Sequence, residues 1–227
     1  MDRILGVLAA LVIPSAVSAA GLADISNRDA INGLKEALTR GSQVAVARLG
    51  VEDGFLKNNS VKIGLPPSLR SAEAVIRTIG MGTQADELVL RMNRAAEAAV
   101  PQARTLLTNA VKKMSVQDTK GVLTGGDDAA TQYFKRTTSE SLAKQFQPIV
   151  KKAMAKVKLA EKYNEIAASG ARVGLVKEED AKLEDYVTRR ALDGLFVVMA
   201  EEEKKIRKDP AGAASSIIRK VFGAIRN

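Results

Sequence analysis

The chain reads as an all-α protein, a single irregular multi-helix bundle. Three observations predict this: apolar residues recur at three- and four-residue spacing over most of the length, Ser and Asp cap signals precede those runs, and Gly or Pro closes them. Only two short pieces, 61–65 and 172–176, have β-like character. A tiny two-stranded ribbon joining them is the sole strand expectation.

The elements follow in order. Ser26 opens "SNRD", a capping box with Asp29, and Ile31, Leu34, Leu38, Ala45 and Leu49 then keep helical spacing up to Gly50. Turn residues fill 51–67 around the first β-like piece. Ser68 caps a short helix to about Ile79, and Gly80 and Gly82 break it. Thr83 starts a long helix whose stripe runs Leu88, Met92, Ala95, Ala96 and Ala99, with Pro101 marking a kink or a fresh start. Leu106, Leu107, Ala110, Val111 and Met114 continue the stripe. Ser115 with Asp118 is a second capping box, opening a helix that stops at Gly125-Gly126.

The segment 123–142, "LTGGDDAATQYFKRTTSESL", reads as a glycine stop in the left-handed conformation, an aspartate cap, a short helix and a hydroxyl-capped restart. Leu142, Phe146, Ile149, Val150, Ala153 and Met154 then share one face, and a helix ending near Ala168 follows. The loop 169–182 carries the second β-like piece. Residues 183–208 form the longest helix, apolar all round at "LFVVMA", which places it in the middle of the bundle. Asp209-Pro210 reads as the start of a final helix carrying Ile217, Ile218, Val221, Phe222 and Ile225.

Composition bounds the chemistry. The 227 residues are 46% hydrophobic and 27% charged, a globular balance, with no Cys, His or Trp. Zinc, copper, haem and iron–sulfur centres normally draw on Cys or His, so no cofactor is expected. The net charge of +9 favours acidic partners. Eight aromatic residues, five Phe and three Tyr, do not interleave with the basic ones, which speaks against nucleic acid.

Residues 1–20, "MDRILGVLAALVIPSAVSAA", read as a secretory signal peptide: Arg3, a ten-residue apolar run from Ile4, then small residues at Ser18, Ala19 and Ala20. The run is too short for a membrane-spanning helix. The mature domain is then 21–227, expected in a periplasm. Anionic lipid, envelope polymer or another periplasmic protein become the expected partners.

Seven motifs carry the functional readings. "SLAK" at 141–144 matches the Ser-x-x-Lys of penicillin-binding proteins, but the companion Lys-Thr-Gly is absent. "GGDD" at 125–128 resembles a phosphate loop, yet its carboxylates would repel phosphate. Asp127 and Asp128 lack the staggered carboxylates a Ca²⁺ loop needs, so no metal is expected. Asp128, Gln132 and Arg136 form one polar helical stripe beside Tyr133, a candidate cleft for a polar or anionic group. Asn93 and Arg94, with Glu97, are polar in an Ala-rich stretch, a buried network or a second candidate site. "AEEEKKIRKDP" at 200–210 carries the i,i+4 pairs Glu201–Lys205 and Glu203–Arg207 and reads as a solvated face. "SSIIRKVFGAIRN" at 215–227 is amphipathic, suited to a membrane surface or to packing on the bundle.

Together "DGFL" at 53–56, "VKIGLPPSL" at 61–69, "MNRAAEAAVPQA" at 92–103, "GGDDAATQYFKRTTSESL" at 125–142, "YVTRRALDGLF" at 186–196 and "AEEEKKIRKDPA" at 200–211 resemble domain-of-unknown-function family 4197. The resemblance implies an exported protein of Gram-negative bacteria and one domain, and it assigns no site. The leading expectation is a non-enzymatic periplasmic protein binding an apolar or anionic envelope ligand, with no catalytic residue. The alternatives are a carboxylate enzyme using Asp127 or Asp128 with Arg136 holding an anionic substrate, and a peripheral envelope protein held by its C-terminal helix.

Overall fold

The computed structural model describes residues 26–225, apart from 72, 156, 173, 175–176, 178–179, 211 and 213–214. The signal peptide expected at 1–20 lies outside them. The described residues form helices joined by loops, with no strand. Helix α1 (Asn27–Leu49) leads through a loop to two short helices, α2 (Pro67–Ser71) and α3 (Glu73–Thr78), and then to α4 (Gly82–Ala99). A 3₁₀ turn, Val100–Gln102, joins α4 to α5 (Ala103–Lys113). Next come α6 (Val116–Thr124), α7 (Ala129–Met154), α8 (Lys158–Arg172), α9 (Leu183–Lys208) and α10 (Ser216–Ile225).

Helix α9 sits in the middle, packed on α7, α1 and α4. It runs antiparallel to α7: Gln147 bonds Asp185 at one end, and Thr131 bonds Glu203 at the other. One apolar core joins Leu34 and Leu49 of α1, Leu88 and Met92 of α4, Phe134 and Phe146 of α7, and Val187 and Leu195 of α9. Each fully buried Phe or Leu contributes roughly 1.5–3 kcal/mol. Ala95, Ala96 and Ala99 are buried on α4, where small side chains let neighbouring helices approach closely.

Of the two capping boxes expected, one is complete and one is half made, the Asp29 carboxylate accepting from Lys220 Nζ at 2.8 Å. Ser26 Oγ accepts from Asp29 N at 3.1 Å. Ser115 and Asp118 form the full box, each side chain accepting the other's amide at 3.0 Å.

Several local expectations are corrected. Residues 62–65 form no strand; the Asn93 side chain holds the segment instead, accepting from Ile63 N at 2.9 Å and donating to Ile63 O at 2.8 Å. Of the proposed partner piece, Arg172 ends α8, and 173 and 175–176 lie outside the described residues. No helix restarts after Arg136, because α7 continues to Met154. Thr137, Thr138 and Ser139 instead donate to the carbonyls of Tyr133, Phe134 and Lys135, one turn back. Asp209 closes α9 and accepts from Gly212 N at 3.1 Å rather than starting a helix.

Candidate functional site

The joint between α6 and α7 is where sequence and structure differ most. Gly125 is extended (φ −80°, ψ 177°), not left-handed. Glycine is needed there for space: a Cβ would lie 2.5 Å from Ala129 Cβ and 2.7 Å from Gly121 O. Asp128 occupies the N-cap position, but its carboxylate caps nothing and accepts from Gln132 Nε2 at 2.9 Å. Asp127 is exposed.

The cap comes from 73 residues further along the chain, at Glu203 of the middle helix α9. Its Oε1 accepts from Ala130 N, and its Oε2 from Thr131 N and Thr131 Oγ1, all at 2.9 Å. Arg207 donates twice to Oε1, at 3.0 and 2.8 Å, and once to Val122 O at 2.8 Å. Glu203 is buried at 8% exposure, so this stretch of α9 is not a solvated face, although the Glu203–Arg207 pair forms as spaced. A carboxylate at a helix N-terminus satisfies orphan amides and favours the helix dipole. The remaining space beside it, bounded by Leu34, Phe134, Met199 and Phe222, is about 20 Å³, room for one water.

Asp128, Gln132, Tyr133 and Arg136 line none of the grooves described below. Tyr133 is buried and donates to Ala110 O at 2.9 Å. Arg136 is largely exposed, stacked 5.7 Å over the Tyr133 ring and 3.6 Å from Asp118. Hydrogen bonds from Ser115 hold the Asp118 carboxyl below its usual range. Tyr163 and Tyr186 likewise donate to backbone, at Asp180 O (2.6 Å) and Gly64 O (3.1 Å). Burial raises the pKa of all three tyrosines.

Asn93 and Arg94 come together with Glu97 to fasten the loop between α1 and α2. Asn93 is fully buried and holds Ile63 as described. Glu97 Oε1 accepts from Phe55 N at 3.0 Å and Leu56 N at 3.2 Å, and Glu97 Oε2 from Arg94 at 2.7 Å. Arg94 also reaches Asp53 at 2.7 Å and Glu52 at 3.1 Å. Lys57 first, then Arg94, keeps the Asp53 carboxyl below its usual range. Asp53 has a left-handed backbone (φ 68°), costly for a non-glycine residue and held here by these ion pairs. The loop's Phe55 then lies on Gly194 of α9, where a Cβ would be 2.6 Å from the ring. Asn93 and Arg94 therefore face a packed loop.

The open concave surfaces lie elsewhere. A groove of about 480 Å³ between α1 and the end of α5 is lined by Lys35, Glu36, Thr39, Arg40 and Lys112. Lys35 Nζ reaches only the Lys112 carbonyl, at 3.5 Å, and Arg40 and Lys112 have no ion-pair partner among the described residues. Arg40 also lines a neighbouring groove with Lys205 and Lys208. A third groove, about 510 Å³, lies between α7 and α9. Sequence reasoning missed these because Lys35 and Lys112 meet only through helix packing. Glu203 did leave a signal: it continues the Leu195–Met199 face at four-residue spacing, a carboxylate on an apolar stripe.

The C-terminal helix is packed inward. Ile218, Val221 and Phe222 are buried, and α10 lies so close to α1 that a Cβ on Gly33 would be 2.6 Å from Val221 Cγ2. Among the described residues no helix is long and apolar enough to cross a membrane, and no group of three carboxylates could hold a metal.

The chain is thus an all-α bundle in which the buried side chains of Asn93, Glu97 and Glu203 join its own elements. It belongs to the family described as "Protein of unknown function (DUF4197)", whose model matches residues 24–223. No curated protein and no solved structure matches it significantly.

Proposed function

We propose that the chain is exported and serves, without catalysis, as a binding protein for an anionic lipid surface of the bacterial envelope. The observation carrying this is the α1–α5 groove, where Lys35, Arg40 and Lys112 converge with Glu36 as the one carboxylate. Lys113 adds a further charge in the last turn of α5. Cations near an anionic membrane contribute about 1 kcal/mol each. Export is supported by the Arg3, apolar-run and small-residue order of 1–20. The acid–base alternative finds no support in placement: Asp127 and Asp128 line none of the grooves described. The C-terminal membrane-helix alternative would require α10 to leave α1 and expose Val221 and Phe222.

Co-sedimentation with vesicles tests the lipid reading. Phosphatidylglycerol-containing vesicles should bind the mature protein, phosphatidylcholine vesicles should not, and high salt should release it. The double variant R40A/K112A should bind about 30-fold more weakly, from two lost charges. Absence of vesicle binding, or binding to soluble acidic polymer alone, overturns the reading. Export is tested separately: protein from the periplasmic fraction should begin at Ala20 or Gly21, and an intact Met1 would refute it.

A further inference from the structure

The α1–α5 groove stands apart from the other concave surfaces by its charge. Its lining holds three cations, Lys35, Arg40 and Lys112, against one carboxylate, Glu36, a balance of +2. The α7–α9 groove sets Lys144 and Arg189 against Glu140 and Asp185, and is neutral. A groove between α7, α8 and α9 sets Lys151 and Lys182 against Glu184 and Asp185, and is neutral too. The groove that shares Arg40 has Lys205 and Lys208 beside it and Glu202 and Asp209 opposed, which leaves +1.

The fold does not cancel the +2. Glu36 stands one turn before Arg40 on α1 without pairing with it, and Arg40 and Lys112 have no ion-pair partner among the described residues. Lys35 Nζ lies 3.5 Å from the carbonyl of Lys112, in the last turn of α5. There the ammonium offsets the negative end of the α5 dipole, which would otherwise oppose an anion. That contact uses one N–H of Lys35 and leaves two, beside three on Lys112 and five on Arg40.

We infer that this groove seats one phosphate monoester, the headgroup of a phosphatidate-type lipid, in preference to the phosphodiester of other anionic lipids. The inference rests on the lipid-surface reading above and narrows it. A monoester carries nearly two negative charges above its second pKa of about 6, and offers three terminal oxygens, one for each cation. A diester carries a single charge and two such oxygens. The dianion neutralises the groove, and the monoanion leaves a cation unmet.

Co-sedimentation of the mature protein with phosphatidylcholine vesicles tests this. The vesicles carry either phosphatidate or phosphatidylglycerol, adjusted at each pH to the same zeta potential so that diffuse attraction is equal. At about pH 7.5 phosphatidate should bind about fivefold tighter, for one further charge met in the groove. At about pH 5 the monoester is a monoanion, and the ratio should fall to about one. The protein groups facing the phosphate are Lys35, Glu36, Arg40 and Lys112, and the chain has no His to titrate across that range. R40A/K112A should abolish the preference, while K151A/K152A, which removes two exposed cations elsewhere, should keep it. A thermal melt checks both variants, and Lys112→Gln alone takes the place of R40A/K112A if the double variant melts lower than wild type. Equal binding to the two vesicles at the higher pH overturns the monoester assignment and leaves the lipid-surface reading standing; no binding to either overturns both. The assignment also falls if R40A/K112A retains the preference, if K151A/K152A loses it, or if soluble glycerol phosphate binds as tightly as phosphatidate, which would make the ligand a soluble one.

Discussion

Replacing Glu203 by Gln changes one oxygen to an amide nitrogen and should nonetheless be among the most damaging single substitutions in the chain. Glu203 accepts five hydrogen bonds: two from α7 amides, one from the Thr131 hydroxyl and two from Arg207. A glutamine has one acceptor oxygen, so its NH₂ must face an α7 amide whichever way it turns, Thr131 N at one position or Ala130 N and Arg207 at the other, donor against donor. The Arg207 side chain, only 10% exposed, is left buried without its counter-charge. Removing one member of a buried ion pair costs about 3–5 kcal/mol. At about 2–4 °C per kcal/mol for a chain of this size, Tm should fall by roughly 10 °C. Urea unfolding of the mature protein measures this, with Asp127→Ala and Asp128→Ala as controls expected within about 0.5 kcal/mol of wild type. If Glu203→Gln costs under about 1 kcal/mol, or Asp128→Ala costs as much, the cap has been assigned to the wrong residue.

Asn93→Leu should cost about 2–4 kcal/mol in the same assay, since it leaves Ile63 N and Ile63 O buried and unpaired; a neutral result would mean the loop finds other partners. Gly194→Ala should cost about 1–3 kcal/mol by driving a methyl into the Phe55 ring, and a stabilised variant would contradict the close contact. Acid should also destabilise the fold with a defined sign. The Asp53 and Asp118 carboxyls sit below the usual 3.8 in the folded chain, so the stability they add is complete above that value and is lost as pH falls through their lower folded values. Unfolding midpoints should hold steady from pH 7 to 5 and drop below about 4, and Asp118→Asn should flatten part of that drop.

Much of the fold was legible because helices advertise themselves locally. The Ser26 and Ser115 caps, the Gly50 stop and the 183–208 helix needed only neighbours within four residues. The failures share a cause: each was a local rule replaced by a distant group. Gly125-Gly126 with two aspartates reads as a stop and a cap, but Glu203 arrives from α9 and makes the aspartates unnecessary. The hydroxyls at 137–139 read as caps, but α6 and α9 already fix where α7 begins, and the hydroxyls fall back on their own helix. The 61–65 piece reads as a strand because Val61 and Ile63 are β-branched and alternate with other residues. What it needed was a partner for one peptide unit, and a single asparagine supplies that.

The same logic separates structural polar groups from available ones. Asn93, Arg94 and Tyr133, singled out from sequence, are all committed to internal bonds, and a group with its bonding satisfied by the fold gains little from a ligand. Lys35 and Arg40 lie on one helix and Lys112 on another far along the chain, and packing of α1 on α5 gathers them with few partners. Thr188 alone among the buried side chains described keeps an unpaired polar atom. Unmet bonding, not polarity in an apolar sequence, therefore separates the α1–α5 groove from the "GGDD" joint: Arg40 and Lys112 lack ion-pair partners among the described residues, whereas Asp128 accepts from Gln132 and the α7 amides are already held by Glu203.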